Sequence, residues 1–352
     1  MRETRHLAGL DTLRCVCALW VALHHGARPR IALWLGLPPV YRDWNAIAYD
    51  GVAAVIVFFV ISGLCVHYPY ARSGHCPLPS FFARRFLRIG IPLAVVAAFV
   101  RLGGGLVGDD IATATRVVIW SLWCELIYYA LYPLFLVIFR RIGMAPVIAG
   151  AFVAAYLLIA CHWHFLTYWQ YSSRVAWITA LPVWLLGCAA AQAIATGRLP
   201  LLPGSIWAWR GAVLLLSIPP KALVYPSVTP VVIGNPATLG VFALFAVAWV
   251  IREVQFFQGR AAPPLLEWGG RWSYSVYLVH NTVLVAFGHL LARANGFALW
   301  PVELAAILGV SYVFHLAVER PSHRLAQSVG RFLARQRRLT VLAISQPPAV
   351  VP

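Results

Sequence analysis

Charged residues are scarce in this chain: only 11% of its 352 residues are Asp, Glu, Lys or Arg. Acidic residues number 11, and Lys221 is the only lysine. Soluble domains average about a quarter charged residues, so this sequence cannot cover a water-exposed surface. No separate polar stretch is long enough to fold alone. These deficits exclude an ordinary soluble globule and indicate one membrane domain.

Metal-binding and disulfide patterns are also missing. The seven cysteines mostly fall inside apolar runs, where a free thiol acts as a small hydrophobic group. Their spacing fits neither a metal site nor a disulfide framework, so we predict no metal. The first apolar run contains Asp11 and Arg14 and is not closed by a small-residue cleavage site. We expect it to remain as the first membrane helix.

What the sequence does contain is apolar residues, 61% of the total, in runs of about the 20 residues that cross a bilayer as a helix. We therefore predict an all-α integral membrane protein, a bundle of about ten transmembrane helices. The predicted spans are residues 8–27, 50–68, 89–107, 117–139, 144–162, 176–195, 205–224, 237–251, 272–292 and 301–318.

The net charge of +17 follows from membrane topology rather than from a nucleic-acid partner. With the N-terminus inside, 20 of the 28 Lys and Arg residues fall on the inner side. The positive-inside rule then predicts that both termini are cytoplasmic, in a multi-pass protein of the bacterial inner membrane. Residues 1–320 form the predicted membrane domain, and residues 321–352 a basic cytoplasmic tail made of a surface helix followed by disorder.

Four polar residues interrupt the first span: Asp11, Arg14, His24 and His25. Charged groups in a membrane are costly and usually functional. Eleven residues rotate a helix by about three turns, so Arg14 and His25 share a face, about 16 Å apart along the axis. Asp11 lies near that face and can pair with Arg14 at i, i+3. His24 points about 100° away.

Glu125, in the fourth span, is a second charge within the membrane. It either pairs with an arginine to hold two helices together or takes part directly in chemistry. Ser62 and Gly63, in the segment FFVISG, are interpreted as small residues that allow close helix packing.

Two segments outside the apolar runs also leave alternatives open. Arg84, Arg85 and Arg88 begin a helix and suit either a phosphate-rich ligand or an ordinary positive-inside anchor. The outer segment 162–171 is rich in Trp, Tyr and Phe, which is typical of a headgroup-level aromatic belt. Stacking against a sugar face is the alternative.

Together, in this order, these segments resemble the acyltransferase 3 family of bacterial membrane proteins, which O-acylate sugars and related acceptors. The opening motif of the family resembles the segment RHLAGLDTLRCVCALWVALHH. The histidine of that motif falls on His25 rather than on His24. The next three motifs of the family resemble the segments AVIVFFVISGL, RRFLRIGIP and SLWCELIYYALYP. The first of these contains Ser62, the second contains Arg85 and Arg88, and the third contains Glu125. WSYSVYLVH and VERPSHRL resemble the closing signatures, with His280 and Glu319.

Many members of the family carry an acid just before the FF pair, where this chain has Ala54, Val55 and Ile56. Asp50, six residues earlier, is a possible substitute. The chain ends soon after its last span, so we expect all chemistry to lie in the membrane domain.

The resemblance implies an acyl-coenzyme A donor, expected to be acetyl-coenzyme A, as co-substrate rather than a bound cofactor. Arg85, Arg88 and Arg14 would hold its phosphates. His25 would act as general base or acyl relay, with Glu125 as a second catalytic residue. His280 and Asp50 are acceptor-side candidates. The acceptor would be a hydroxyl of a carbohydrate, glycolipid or small natural product. A transporter or flippase of a lipid-linked glycan is the alternative function.

Overall fold

The computed structural model describes residues 7–26, 35–102, 104–199, 201–290 and 299–345. All regular structure within these ranges is helical, which confirms the all-α prediction. A short 3-10 turn, Tyr168–Tyr171, precedes α7, and a π-helical turn, His315–Glu319, joins α12 to α13. The helices are α1 (Leu10–His25), α2 (Pro39–Ile47), α3 (Gly51–His67), α4 (Leu78–Leu102), α5 (Gly104–Ile142), α6 (Met144–Cys161), α7 (Ser172–Thr196), α8 (Ile206–Ala222), α9 (Asn235–Phe256), α10 (Pro264–Gly270), α11 (Ser273–Leu290), α12 (Leu299–Phe314) and α13 (Arg320–Ser345).

Within the described residues, five helical segments are long and apolar enough to cross a membrane: Asp110–Ile142, Met144–Cys161, Val175–Thr196, Asn235–Phe256 and Leu299–Gln336. Helix α3 is equally apolar but shorter. Each of the ten predicted spans overlaps one of the α-helices. The chain is therefore a multi-pass helical membrane protein, whereas ten crossings and two cytoplasmic termini stay predictions.

The start of α1 is fixed by a residue that is distant in sequence. Gly9 adopts a positive φ of 87°, which glycine accommodates without strain. The Glu267 carboxylate accepts hydrogen bonds from the Gly9 and Thr12 amides (3.2 and 3.0 Å) and from the Thr12 hydroxyl (2.8 Å). These bonds satisfy donors that the first helical turn leaves unpaired. Helix α10 thus caps α1.

Helices α3 and α7 approach so closely that only glycine fits at two positions. A Cβ on Gly63 would lie 2.0 Å from the Trp184 carbonyl oxygen, and one on Gly187 would lie 2.1 Å from the Val60 carbonyl oxygen. Small residues allow helix backbones to pack in this way in a membrane. The packing interpretation of Gly63 is confirmed, and the α3–α7 pair forms the centre of the bundle.

Helix α13 runs back along α4. The Ser322 hydroxyl donates to the carbonyl oxygens of Leu87 and Arg88, both at 3.2 Å. Gly330 packs directly against the side chain of Arg84. The predicted tail thus begins as a helix that extends to Ser345, and residues 346–352 lie outside the described residues. Arg84 and Arg88 of α4 are therefore both in contact with α13.

Candidate active site

The polar face of α1 contains the ion pair expected from the i, i+3 spacing. Arg14 Nη1 lies 2.7 Å from Asp11 Oδ1, and the second guanidinium nitrogen lies 3.2 Å from Cys65 Sγ on α3. The aspartate is buried, and the side chain of Arg14 is 24% exposed. Arg14 is therefore held from both sides while its guanidinium still reaches open space.

That space is a cavity of about 900 Å³, including the solvent at its mouth, which we name the arginine cavity. Among the described residues, four arginines of three different chain segments border it: Arg14, Arg85, Arg88 and Arg271. The sequence motifs predicted the first three, whereas Arg271 lies outside those motifs. Four guanidiniums around one cavity suit a ligand that carries several phosphate groups.

Arg85 is positioned by two neighbours. One of its guanidinium nitrogens donates to the Cys65 carbonyl oxygen at 3.1 Å, and its guanidinium carbon lies 5.6 Å from the ring centroid of Tyr129. A cation over an aromatic face is attracted by the ring quadrupole. Arg88 is anchored through its backbone carbonyl by Ser322 at 3.2 Å. Neither arginine depends on a carboxylate partner in these contacts.

Glu125 borders the same cavity and is held by two hydroxyl groups. The Ser62 hydroxyl donates to its Oε1 at 2.6 Å, and the Tyr129 hydroxyl donates to the same oxygen. Trp184 Nε1 donates to Ser62 at 3.2 Å. Besides the packing role predicted for Ser62, its hydroxyl therefore holds the Glu125 carboxylate. Among the described residues, Glu125 forms no ion pair with an arginine.

His25 lies at a second cavity, of about 650 Å³, which we name the histidine cavity. His24, Lys221, Asn235 and Tyr168 also border it. His24 Nδ1 is 2.8 Å from the Tyr49 carbonyl oxygen, so this histidine reaches the cavity although its predicted direction lay 100° away. The histidine cavity therefore presents two imidazoles, one lysine and uncharged polar groups.

His280 contacts His25 directly. Its Nε2 lies 3.1 Å from His25 Nδ1, and the ring centroids are 4.9 Å apart. His280 is completely buried and is not among the described residues that border either cavity. The structure thus places this acceptor-side candidate behind His25. Two other predicted site residues, Glu125 and Asp50, make different contacts.

Asp50 is the N-cap of α3. Its Oδ1 accepts hydrogen bonds from the amides of Val52 and Ala53 at 2.9 and 3.2 Å. The side chain is completely buried, and Lys221 interacts with it electrostatically. Ile56, at the position where the family motif has an acid, is also completely buried. Neither residue borders a cavity, so Asp50 supports the wall rather than lining it.

The two cavities share two bordering residues, Val55 and Tyr277. The Tyr277 hydroxyl lies 2.6 Å from the Ser121 hydroxyl and donates to the Val118 carbonyl oxygen at 3.3 Å. This tyrosine is therefore fixed in position between the arginines and the histidines. Helices α1, α3, α4, α5 and α11 contribute most of the site, and the histidine cavity is also bordered by residues of α8, α9 and the 3-10 turn.

Comparison with known proteins identifies this arrangement. A family model described as an acyltransferase domain matches residues 7–316, nearly the whole chain. The chain belongs to the acyltransferase 3 family. It is similar to Nodulation protein 10 of Rhizobium leguminosarum bv. viciae, with 25% identity over 92% of this chain and 95% of that protein. No solved structure matches.

Membership of the acyltransferase 3 family decides between the two functions that the sequence suggested, an acyltransferase and a transporter. The protein is a membrane acyltransferase, so the transporter alternative is not needed to explain its buried charges. Residues 7–316, which match the family model, include the residues that border the two cavities of this acyltransferase 3 protein, with one exception. The exception is Glu319, which lies three residues after the matched range. That glutamate accepts hydrogen bonds from Ser275 and His315 at 2.6 and 2.9 Å.

Proposed function

We propose that this protein transfers an acyl group, acetyl in the simplest case, from cytoplasmic acyl-coenzyme A to a hydroxyl of a sugar or related acceptor. The arginine cavity would bind the donor, with Arg14, Arg85 and Arg88 on its phosphates. The histidine cavity would bind the acceptor. In this assignment the mouth of the arginine cavity faces the cytoplasm of a bacterial inner membrane.

The observation that carries the proposal is the hydrogen-bonding state of His25. His280 Nδ1 lies 2.8 Å from the Tyr277 carbonyl oxygen and so carries a proton, which leaves Nε2 of a neutral His280 as an acceptor. His25 Nδ1 therefore faces two acceptors, His280 Nε2 at 3.1 Å and the Val21 carbonyl oxygen at 3.0 Å. These contacts support a tautomer in which the proton of His25 is on Nδ1 and the lone pair is on Nε2.

That tautomer is the one a general base requires. His25 Nε2 would take the proton of the acceptor hydroxyl while the hydroxyl oxygen attacks the thioester carbonyl carbon. The carbon–sulfur bond then breaks, and the imidazolium returns the proton to the departing thiolate, which leaves coenzyme A as a thiol. An acyl relay would use the same lone pair of Nε2 as nucleophile.

Glu125 is the second proposed catalytic residue. Its carboxylate borders the arginine cavity and is oriented by Ser62 and Tyr129. Among the described residues it forms no ion pair with an arginine, which leaves its charge to act on a ligand that enters the cavity. We assign it the task of orienting the donor near the boundary with the histidine cavity.

The test is transfer of labelled acetyl groups from acetyl-coenzyme A by protein in lipid nanodiscs. Glycolipids and oligosaccharides from a deletion strain serve as the acceptor mixture. His25→Ala should lower the rate by about 10²- to 10⁴-fold, the usual contribution of a general base. His162→Ala is the matched control, because the His162 imidazole makes the same i−4 bond to a backbone carbonyl, at 3.1 Å, away from both cavities. Full transfer by His25→Ala would refute the assignment.

A further inference from the structure

The last helix, α13, carries two kinds of exposed side chain on the sides that do not pack on α4. Arg324, Arg331 and Arg335 are all exposed, and we name them the arginine stripe. Leu325 and Phe332 are 48% and 60% exposed, and we name them the apolar stripe. A helix with exposed apolar side chains on one face and arginines on another is typical of helices that lie at a membrane surface.

Helical geometry separates these stripes from the face of α13 that packs on the bundle. Ser322, Ala326 and Gly330 are buried, and Ser322 and Gly330 contact α4. At about 100° per residue, the apolar stripe lies roughly 110° from this buried face, and the arginine stripe lies about 90° further round. A helix that packs sideways on α4 can therefore turn its apolar stripe towards lipid and keep its arginines at the level of the headgroups.

Helix α13 begins where an apolar segment of membrane-spanning length ends. Residues 299–319, which form α12 and the π-helical turn, rise by about 30 Å, close to the hydrocarbon thickness of a bilayer. Arg320 follows directly, so α13 starts at the membrane boundary without a connecting loop. The bilayer surface is therefore the partner nearest to both stripes.

The charge at this end of the chain has one sign. Six arginines follow Glu319 in the sequence, and no Asp or Glu does. Among the residues that the structure describes, none of the three arginines of the stripe forms an ion pair. Each basic residue close to an anionic membrane surface strengthens binding by about 5-fold. The charge of α13 is thus complementary to anionic lipid headgroups.

We propose that the two stripes of α13 form a docking surface for the anionic phospholipids of the bilayer leaflet at which this helix begins. Leu325 and Phe332 lie at the boundary between headgroups and acyl chains, and the arginines bind the lipid phosphates, which accept paired hydrogen bonds from a guanidinium. The apolar stripe and the start of α13 at the membrane boundary favour a lipid surface over an acidic soluble protein. This interaction goes beyond the proposed function, because neither the donor nor the acceptor takes part in it.

The test is hydrogen–deuterium exchange of the full chain in two kinds of nanodisc. One kind contains phosphatidylcholine alone, and the other contains an equal mixture with phosphatidylglycerol. The backbone amides of residues 324–335 should exchange at least about 5-fold more slowly with phosphatidylglycerol, because the docked helix must leave the lipid before it opens. Molar salt should remove this difference, since it screens exposed charges.

Variants of the arginine stripe separate lipid docking from general charge effects. Arg324→Gln, Arg331→Gln and Arg335→Gln, combined in one protein, should abolish the phosphatidylglycerol effect and leave exchange in phosphatidylcholine unchanged. These side chains are exposed, so the fold should melt at the same temperature. The matched control carries the same change of charge at three exposed arginines outside α13, and it should keep the full effect: Arg141→Gln, Arg198→Gln and Arg260→Gln.

The apolar stripe has its own variant. Leu325→Ser combined with Phe332→Ser should speed the exchange of α13 in both kinds of nanodisc, because insertion at the acyl boundary does not depend on lipid charge. Equal exchange of unmodified α13 in the two lipid compositions would overturn the proposal, as would a phosphatidylglycerol effect that survives in the triple arginine variant. Protection that depends on protein concentration rather than on lipid would show that α13 pairs with a second copy of the chain, against the proposal.

Discussion

His280 provides a graded test of how His25 is oriented. His280→Ala removes one of the two acceptors of the His25 Nδ1 proton, while the Val21 carbonyl oxygen remains at 3.0 Å. The tautomer should therefore persist, and the loss is that of one buried hydrogen bond. Such a bond contributes about 0.5–1.5 kcal/mol, which corresponds to about 2- to 13-fold in kcat.

The assay is single-turnover transfer from labelled acetyl-coenzyme A in nanodiscs, with the KM for the donor measured separately. His280→Gln carries a side-chain carbonyl that can accept the same proton, so it should recover most of the rate. Val279→Ala, at the neighbouring buried position of α11, controls for lost packing volume. The KM for acetyl-coenzyme A should not change, because His280 does not border the arginine cavity.

The positioning role of His280 is incompatible with two results. A loss in His280→Ala as large as the loss in His25→Ala would mean that His280 itself acts on the substrate. A folded His280→Gln variant that recovers nothing would mean that the hydrogen bond to His25 is not what matters. Either result would also remove the basis for assigning the Nε2 lone pair of His25.

Two further predictions concern the donor and the packing of the bundle. Replacing Arg85 and Arg88 together by Ala should raise the KM for acetyl-coenzyme A at least about 10-fold, the scale of one charge-assisted hydrogen bond. Exposed Arg141→Ala is the control, and an unchanged KM would reduce the cluster to a membrane anchor. Gly63→Ala should destabilise the fold by about 1–3 kcal/mol in thermal unfolding, because its Cβ would meet the Trp184 carbonyl oxygen at 2.0 Å. Gly150→Ala, with open space around it, should be neutral or stabilising, and equal melting of both variants would contradict the contact.

The sequence predicted those features that depend on one helix at a time. Helical periodicity and length located the apolar segments, and the i, i+3 spacing anticipated the Asp11–Arg14 pair at 2.7 Å. The separation of His24 from His25 was less well predicted. Rotation about the axis of α1 sets them about 100° apart, yet the cavity is wide enough to be bordered by both.

What the sequence could not provide is which helices face one another. Ser62 and Glu125 are 63 residues apart, and His25 and His280 are 255 residues apart. Periodicity shows that each residue lies on a buried face but not which side chain lies opposite. Asn235 had no signal at all, since an asparagine at a helix start is ordinarily a cap. Only its side-chain amide, which has no hydrogen-bond partner among the described residues, distinguishes it.

The boundary between the two cavities explains why Arg14 and His25 are so far apart on one helix. Coenzyme A is large and highly charged, so moving it across the bundle would bring its phosphates into an apolar interior. The shared residues, Val55 and Tyr277, leave the arginines on one side and the histidines on the other. On the proposed mechanism, only the pantetheine arm of the donor, which carries the thioester, must pass Tyr277. This arm would span the distance of about 16 Å that separates Arg14 from His25 along α1. On that mechanism the helix would set the distance between phosphate binding and chemistry, and the charged part of the donor would stay where it is bound.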